Sequence, residues 1–209
     1  MEEFDRKQHW ENIYQTKQSG EVSWFQPTPT TSLDFVKFFN IPKTAKIIDV
    51  GGGDSLFVDH LLDLGYQDVT VLDISAAALQ RSKQRLGDKA AKVTWLVDDA
   101  ASFSPTVQYD FWHDRAVFHF LTQEQEIEHY TDAARRGIKP SGILVIGTFS
   151  EQGAKKCSGI EVRQYSEETM STRLGNFFEK VKCLTVDHKT PFNTVQNFIF
   201  CGFRRLPTP

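Results

Sequence analysis

Three aspartates lie at the ends of three successive apolar runs. Asp49 stands two residues ahead of a row of three glycines, Asp73 ends the second run, and Asp99 follows the third. Short apolar runs are typical of strands in a sheet that is covered on both faces. Glycines let a ligand approach the main chain closely, and the amides that open the next helix favour an anion or a polar group. The pattern predicts a pocket for a nucleotide or a nucleoside.

Two residues argue against a dinucleotide in this pocket. The third glycine of a G-x-G-x-x-G turn would fall at Leu56, which weakens the tight packing of helix on strand that a pyrophosphate site requires. Asp49 would repel a pyrophosphate, but it can act through water or amides on a cationic amino-acid group. Asp73 suits the hydroxyls of a ribose in either case. A dinucleotide-dependent oxidoreductase is therefore kept only as the less favoured alternative.

The segment DVGGGDS at 49–55 resembles the S-adenosylmethionine site of the class I methyltransferases. The signature of that family is an acid, one residue and then glycines at alternate positions, and Ser55 stands here where the last glycine often lies. In the family an acid after the third strand accepts a hydrogen bond from the adenine amino group, and the next amide meets the ring, which matches Asp99 and Ala100. The resemblance assigns to the cofactor Tyr14, Trp24, Asp49, Gly51, Gly52, Gly53, Asp73, Ile74, Asp99, Ala100 and His113.

The amino-terminal region is rich in aromatic side chains. Trp10 and Tyr14 lie at helical spacing in a predicted helix over about 6–18, and Trp24 and Phe25 follow in a loop. This region is similar to the lid of small class I methyltransferases, in which an aromatic helix and loop close over the cofactor. In the alternative interpretation the rings only pack the helix onto the sheet. We expect residues 1–45 to form a helical lid and residues 46–209 the Rossmann-like core of a single methyltransferase domain.

Polar residues follow the fourth predicted strand, where a methyl acceptor must approach. In the family the backbone just past this strand holds the methionine amino group, so the resemblance makes His113 and Asp114 cofactor-side candidates. Arg115 is expected to bind a carboxylate or to hold Asp114. His119 is expected to act as a base or a substrate contact, or as a core histidine in the alternative interpretation. His188, in the turn between the last two strands, is expected at the same edge, so the catalytic candidates are Arg115, His119 and His188.

The order of the predicted elements indicates one α/β domain. Strands and helices alternate between positions 47 and 148, and two strands at about 180–187 and 194–203 close the chain. Such alternation demands parallel strands with helices on both faces. The resemblance implies that the last of the seven strands runs antiparallel to the others. We therefore expect a doubly wound, mostly parallel seven-stranded sheet with an antiparallel last strand, and a site at the carboxyl ends of the parallel strands.

Composition argues against several classes of partner. The 209 residues carry a net charge of −3 with acids and bases interspersed, so we expect no nucleic-acid partner. No apolar run approaches the ~20 residues that span a bilayer, and the acidic start at 1–5 lacks an apolar signal, so we expect a cytoplasmic protein without a membrane partner. Cys157, Cys183 and Cys201 are widely spaced, which favours reduced thiols over a disulfide scaffold or a zinc site, and we expect no metal.

The resemblance implies S-adenosylmethionine as the cofactor and in-line displacement of its methyl group. A nucleobase acceptor is disfavoured, because the Asn-Pro-Pro-aromatic and Pro-Cys motifs of the corresponding enzymes are missing. The residues after the fourth strand also differ from the Asp-Lys-Gly motif of related lysine methyltransferases of elongation factors. A small-molecule acceptor is the first hypothesis, a protein lysine the second, and an S-adenosylmethionine-binding protein without catalysis the third. The sequence does not indicate the attacked atom or the oligomeric state.

Overall fold

The apolar runs form strands of one central sheet, and the segments between them form helices. The computed structural model describes residues 4–207. The strands are β1 Lys46–Val50, β2 Asp68–Asp73, β3 Val93–Val97, β4 Tyr109–Arg115, β5 Ile138–Phe149, β6 Lys156–Cys157, β7 Ile160–Glu161, β8 Phe178–Lys189 and β9 Val195–Arg205. The helices are α1 Arg6–Thr16, α2 Thr30–Phe38, α3 Phe57–Asp63, α4 Ala76–Leu86, α5 Glu124–Gly137 and α6 Glu167–Leu174. Short 3₁₀ segments occupy Ser19–Glu21, Gly87–Lys92 and Phe118–Phe120.

Seven strands form the sheet in the order β3-β2-β1-β4-β5-β9-β8. The strands from β3 to β5 pair in parallel, whereas β9 is antiparallel to both of its neighbours. The predicted doubly wound, mostly parallel sheet with an antiparallel last strand is therefore confirmed. The remaining two strands, β6 and β7, pair only with each other.

The two faces of the sheet carry separate apolar clusters. Adjacent residues of a strand point to opposite faces, and Ile47 packs with residues of α1 to α4 whereas Ile48 packs with residues of α5 and α6. Both isoleucines are fully buried. Burying such a side chain stabilises the fold by about 1.5–3 kcal/mol. Helices therefore cover both faces, as the alternation of elements predicted.

The strand order reverses between β1 and β4. Val50, at the end of β1, lies beside Leu72 of β2 on one side and Asp114 of β4 on the other. A crevice opens outside the carboxyl ends of the strands at such a reversal, because the connections on its two sides leave toward opposite faces. The glycine turn follows β1 directly, so it lies at this crevice.

Some elements extend further than the sequence predicted. The predicted fifth strand starts at position 143, but β5 begins at Ile138 and continues through Pro140 and Gly142. These residue types usually interrupt a strand, and a register shift between Tyr109 and Phe111 of β4 accompanies them here. The hairpin of β6 and β7 was not predicted, because strands of two residues are too short to show an alternating pattern.

Cys183 and Cys201 form a disulfide that the sequence did not predict. The two residues lie directly opposite each other in β8 and β9, with their Cα atoms 4.1 Å apart. Side chains of directly opposed residues in an antiparallel pair meet on the same face. The expectation of three reduced thiols is therefore wrong for this pair, since their separation along the chain hides the pairing that the sheet creates. Cys157 is a free and buried thiol.

Two further features concern the part of the chain that the structure describes. No helix within residues 4–207 has both the length and the apolar character needed to cross a membrane. The same residues contain no group of three or more histidine, cysteine, aspartate or glutamate side chains arranged to hold a metal ion.

Candidate functional site

A cavity, partly open to solvent, lies at the carboxyl ends of the central strands. Its acidic half comprises Asp73, the last residue of β2, together with Asp98 and Asp99, which follow β3. Its aromatic half comprises Phe149 and Phe198 together with Arg115, His119 and Gln196. Residues of α1 and the loop after it cover the cavity. The predicted site residues that line it are Tyr14, Trp24, Gly51, Asp73, Ile74, Asp99, Ala100, Arg115 and His119.

Five predicted site residues do not line the cavity: Asp49, Gly52, Gly53, His113 and His188. Asp49 and the two glycines lie immediately behind the cavity wall, because a Cβ built on Gly52 would come within 2.6 Å of Asp49 Oδ2 and one on Gly53 within 3.0 Å of Asp73 Oδ2. The two histidines lie further back, with both ring nitrogens of each hydrogen-bonded.

The glycine turn must consist of glycines for steric reasons. Gly51 and Gly53 have φ angles of +66° and +46°, a region that side chains with a Cβ rarely adopt. A Cβ on Gly51 would come within 1.8 Å of Val117 Cγ2, and one on Gly53 would come within 2.9 Å of the Tyr14 hydroxyl. The turn therefore lets α1 and the residues after β4 approach the end of β1 closely.

Asp49 belongs to a buried hydrogen-bonded chain. Its Oδ1 lies 2.7 Å from Nδ1 of His113, and Nε2 of His113 lies 2.8 Å from the Ser32 hydroxyl on α2. The three side chains follow the order of a hydrolase triad, but all are buried and none lines the cavity. The prediction that His113 is on the cofactor side is not supported, since its side chain fixes the carboxylate of Asp49 from behind.

Asp73 is a buried carboxylate at the cavity wall. Its Oδ1 accepts a hydrogen bond from the amide of Ser75 at 2.8 Å. Burial raises the pKa of Asp73 to about 7, the negative charges of Asp54 and Asp49 act in the same direction, and the amides of Ser75 and Gly53 oppose them. The group therefore titrates near neutral pH in the ligand-free protein.

Asp99 is in contact with α1. Its Oδ1 accepts from the amide of Ala101 at 2.9 Å, and Arg6 Nη1 donates to Asp99 Oδ2 at 3.3 Å. Arg6 also pairs with Glu126 of α5. Arg6 was not predicted at the site, and only the tertiary contact reveals it, because Arg6 and Asp99 are 93 positions apart in the chain. The predicted adenine-binding acid thus lies beneath the first turn of α1.

Aromatic rings join α1 to the cavity. Trp10 meets Phe120 edge to face with ring centroids 5.0 Å apart, and Trp24 meets both Trp10 and Tyr14 at 5.7 and 6.3 Å. These rings bury apolar surface while their polar tips stay near the cavity. The arrangement is compatible with a lid and with static packing, so the lid stays a prediction.

Arg115 extends from the end of β4 into the aromatic half. Its Nη1 donates to the carbonyl of Trp24 at 2.9 Å, and its guanidinium lies 5.3 Å from the centre of the Phe198 ring. Nη2 is buried and has no hydrogen-bond partner in the described part of the chain. Burial lowers the pKa of Arg115 to about 10, with Asp49 acting in the opposite direction, so it is charged at neutral pH.

The alternative prediction that Arg115 holds Asp114 is wrong. Asp114 points to the opposite face of the sheet, as neighbouring strand residues do. There it accepts hydrogen bonds from the Tyr130 hydroxyl at 2.6 Å and from the amides of Val117 and Phe118 at 3.0 and 3.3 Å. Asp114 therefore shapes the turn after β4 from the far side and does not line the cavity.

His119 is fully buried and lines the aromatic half. The amide of Phe149 donates to its Nδ1 at 3.3 Å, and its ring stacks on the Phe149 ring with centroids 4.6 Å apart. Burial lowers the pKa of His119 to about 3, and the nearby charge of Arg115 lowers it further. The imidazole is therefore neutral, and because Nδ1 accepts, Nε2 carries the proton. This state is suited to the predicted substrate contact and not to the predicted base.

His188 contacts the loop that covers the cavity. Its Nε2 lies 2.7 Å from the carbonyl of Ser23, and its Nδ1 lies 3.2 Å from Nε2 of the Gln26 side chain. Both nitrogens are therefore engaged with the loop, and the prediction that His188 faces the acceptor is not supported. The β8–β9 turn lies at this edge, as predicted. Gln196 and Phe198 were not predicted at the site, although their spacing of two residues in β9 indicates a shared face.

Known proteins resemble this chain in sequence and fold. Residues 48–144 match the family model described as a methyltransferase domain. EEF1A lysine methyltransferase 2 of Danio rerio is 25% identical over 155 residues, which cover 67% of this chain and 66% of that protein. The chain thus spans just under two thirds of the length of this relative.

Two solved structures share the fold over nearly the whole chain. A SAM-dependent methyltransferase from Anabaena variabilis has a TM-score of 0.75 at 14% identity, covering 97% of this chain and 96% of that one. N-methyltransferase NodS from Bradyrhizobium japonicum, in complex with S-adenosyl-L-homocysteine, has a TM-score of 0.69 at 16% identity, covering 96% of this chain and 99% of that one. These two structures share the fold of this chain, and the family model identifies residues 48–144 as a methyltransferase domain, so the chain is similar to the class I S-adenosylmethionine-dependent methyltransferases.

Proposed function

We propose that the chain transfers the methyl group of S-adenosylmethionine to a small molecule held in the aromatic half of the cavity. The observation that carries the proposal is the division of the cavity into an acidic half beyond β2 and β3 and an aromatic half beyond β4, β5 and β9. The acidic half suits the hydroxyl and amino donors of adenosine. The aromatic half suits an acceptor with apolar surface.

The residues of the acidic half fit the cofactor. Asp73 is buried at the wall and suits the ribose hydroxyls, while Asp99 suits the adenine amino group. The glycine turn offers a cradle of main-chain atoms behind and along the cavity wall, and a Cβ at Gly51 would overlap the Val117 side chain there. Asp49, fixed by His113, lies behind this cradle with a charge that suits the amino group of the methionine part. The hydrogen bond from Arg6 to Asp99 would have to lengthen or break when the adenine amino group binds Asp99.

The protein's contribution to catalysis is mainly alignment. S-adenosylmethionine, when bound, supplies the methyl group on a sulfonium that is a good leaving group. Trp10, Tyr14 and Trp24 cover the cavity and exclude water, and Arg115 and His119 orient the acceptor. Such positioning of two reactants can be worth up to about 7–11 kcal/mol. Since Nδ1 of His119 is hydrogen-bonded and Nε2 carries the proton, His119 cannot take a proton from the acceptor, which is therefore expected to bind in its nucleophilic protonation state.

A protein lysine is the second candidate acceptor. The names of the sequence relatives, EEF1A lysine methyltransferase 2 of Danio rerio among them, favour it. The charge of the cavity argues against it, because the aromatic half contains the cation of Arg115 and no carboxylate within the described residues lines it. A lysine ammonium would be repelled there. We therefore favour the small molecule.

One experiment separates the three hypotheses. The purified chain is first titrated calorimetrically with S-adenosylhomocysteine, and then incubated with S-adenosylmethionine and either a low-molecular-weight metabolite filtrate or the protein fraction of the same extract. Formation of S-adenosylhomocysteine is measured by coupled conversion to homocysteine. Turnover with the filtrate is expected. Turnover only with the protein fraction would favour a lysine acceptor, and cofactor binding without any turnover would favour a non-catalytic protein. Absence of cofactor binding would refute all three.

A further inference from the structure

Three buried polar atoms of the aromatic half have no hydrogen-bond partner within the described residues. They are Nη2 of Arg115, Nε2 of His119 and Oε1 of Gln196. Native proteins leave few buried polar groups unsatisfied, and those that occur require an explanation. Arg115 and His119 come from the end of β4 and the turn after it, whereas Gln196 comes from β9, far away in the chain, and all three line the same cavity. Their convergence indicates a polar ligand.

The chemistry of the three atoms defines what this ligand offers. Nη2 of Arg115 is a charged donor, because the guanidinium keeps its proton and uses only Nη1 on the carbonyl of Trp24. Nε2 of His119 is a neutral donor, because Nδ1 accepts from the Phe149 amide. Oε1 of Gln196 is an acceptor, since the amide nitrogen donates to the Ser23 hydroxyl at 3.2 Å. The wall thus offers two donors, one of them charged, and one acceptor.

Arg115 also lacks an anionic partner. No ion pair in the described part of the chain includes it, whereas Arg6, Arg81 and Arg85 all pair with carboxylates. Instead its guanidinium lies over the Phe198 ring. A buried cation without a counter-ion is unfavourable unless a ligand supplies the charge. The two donors and the flat aromatic walls suit a planar monoanion better than a phosphate, which would require more donors.

We propose that the methyl acceptor carries a carboxylate, which receives hydrogen bonds from Arg115 Nη2 and His119 Nε2, while Gln196 Oε1 accepts from an N–H or O–H of the same molecule. This inference rests on the proposed function and specifies its substrate class. The competing source of a carboxylate is the methionine part of the cofactor. Its expected binding groups, Asp49 and the glycine turn, lie at the end of β1 and directly after it, whereas His119 and Gln196 lie on the other side of β4, toward β5 and β9.

The test compares matched carboxylates and amides on the cofactor-bound protein. The chain is saturated with S-adenosylhomocysteine, and its thermal unfolding is followed with acetate, benzoate and phenylacetate, and with acetamide, benzamide and phenylacetamide, at millimolar concentration. At least one carboxylate is expected to raise the melting temperature, and its amide is expected not to do so. No response to any carboxylate, or an equal response to the matching amide, would overturn the proposal. This comparison uses the wild-type chain and requires no variant.

Variants then assign the response to Arg115 and His119. Arg115→Gln and His119→Phe are each expected to lower the affinity for the carboxylate that responded by about tenfold or more, because a hydrogen bond to a charged group is lost. Arg136→Gln, on the exposed face of α5, is the matched control and should respond as the wild type does. Retention of the full response in a folded Arg115→Gln protein would overturn the proposal.

Cofactor affinity distinguishes the two sources of the carboxylate. Arg115→Gln is titrated calorimetrically with S-adenosylhomocysteine and with 5′-methylthioadenosine, which lacks the amino-acid part of the cofactor. Because Arg115 also holds the carbonyl of Trp24, any loss of affinity is expected to be the same for both compounds. A loss for S-adenosylhomocysteine alone would assign the arginine to the methionine carboxylate and overturn the proposal. Failure of the wild-type chain to bind S-adenosylhomocysteine at all would refute the proposed function itself, so the two failures are distinguishable.

Discussion

Glu11 of α1 accepts a hydrogen bond from the Ser75 hydroxyl at 2.7 Å, and the same oxygen accepts from the amide of Ala77 at 3.2 Å. Ser75 is the N-cap of α4 and stands two residues after Asp73. A carboxylate at the start of a helix is stabilised by the amides that lack partners there. The covering helix is therefore attached to the core next to the predicted ribose-binding acid.

This attachment predicts how α1 responds to substitution and to the cofactor. Glu11→Ala should accelerate amide exchange in residues 6–16 by about tenfold or more, since charge-assisted hydrogen bonds worth ~1.5–3 kcal/mol are lost. Binding of S-adenosylhomocysteine should slow exchange over residues 9–26 if they form a lid. Hydrogen–deuterium exchange with mass spectrometry measures both, with Glu128→Ala on the exposed side of α5 as control. Equal protection with and without the cofactor would favour static packing of Trp10, Tyr14 and Trp24.

The raised pKa of Asp73, about 7, predicts a pH dependence of cofactor binding. The ionised carboxylate is the better acceptor for two ribose hydroxyls, so affinity should be full above pH 7 and should fall by up to about tenfold per pH unit below it. The stability of the ligand-free protein should change in the opposite direction. Because the folded pKa lies above the ordinary value of 3.8, the contribution of Asp73 to the free energy of unfolding is lost as pH rises through about 7.

Asp73→Asn provides the control for this prediction. The variant should weaken the binding of S-adenosylhomocysteine by about 1.5–3 kcal/mol at pH 8. Its affinity should no longer change between about pH 6 and about pH 8, which lie on either side of the pKa of about 7. Calorimetric titration at the two pH values measures both effects. A folded Asp73→Asn or Asp73→Ala protein with unchanged affinity would show that the carboxylate does not bind the ribose.

Gly51→Ala should damage both the fold and the site. The new Cβ would come within 1.8 Å of Val117 Cγ2 at a φ angle of +66°, so steric overlap adds to backbone strain. Gly65→Ala is the matched control, because Gly65 has a φ angle of +90° and no atom within 4 Å of the added Cβ. We expect Gly51→Ala to be the less stable of the two by about 1–3 kcal/mol in urea unfolding. Equal destabilisation of the two variants would contradict the close approach of Val117.

His119→Gln tests whether this residue donates or accepts a proton. The variant retains an N–H donor, so at saturating cofactor, with an acceptor from the metabolite screen, turnover should fall less than about tenfold with no change in the shape of its pH profile. His119→Phe removes the donor and should raise the KM for the acceptor more than it lowers kcat. A loss of about 10²-fold in kcat for His119→Gln, with loss of a titration near pH 6.5 (the ordinary pKa of histidine), would instead identify a general base.

The sequence by itself determined the fold and the acidic half of the site. Each strand from β1 to β3 is a short apolar run, and Asp49, Asp73 and Asp99 each stand within two residues of the end of such a run. Such relations are local, so the period of the apolar residues and the position of the glycines are sufficient to predict them. The family resemblance rests on the same short segments, and for this reason it indicated the cofactor and not the acceptor.

Only the tertiary structure decided the aromatic half and the role of each histidine. Arg115, His119 and Gln196 converge because β4 and β9 both lie next to β5, an arrangement that depends on strand order and not on neighbouring residues. His113 and His188 were predicted at the correct edge, but the hydrogen bonds to Asp49 and to the carbonyl of Ser23 turn them away from the cavity. The orientation of a side chain and its protonation depend on burial and on partners distant in the chain, and these exist only once the sheet has formed.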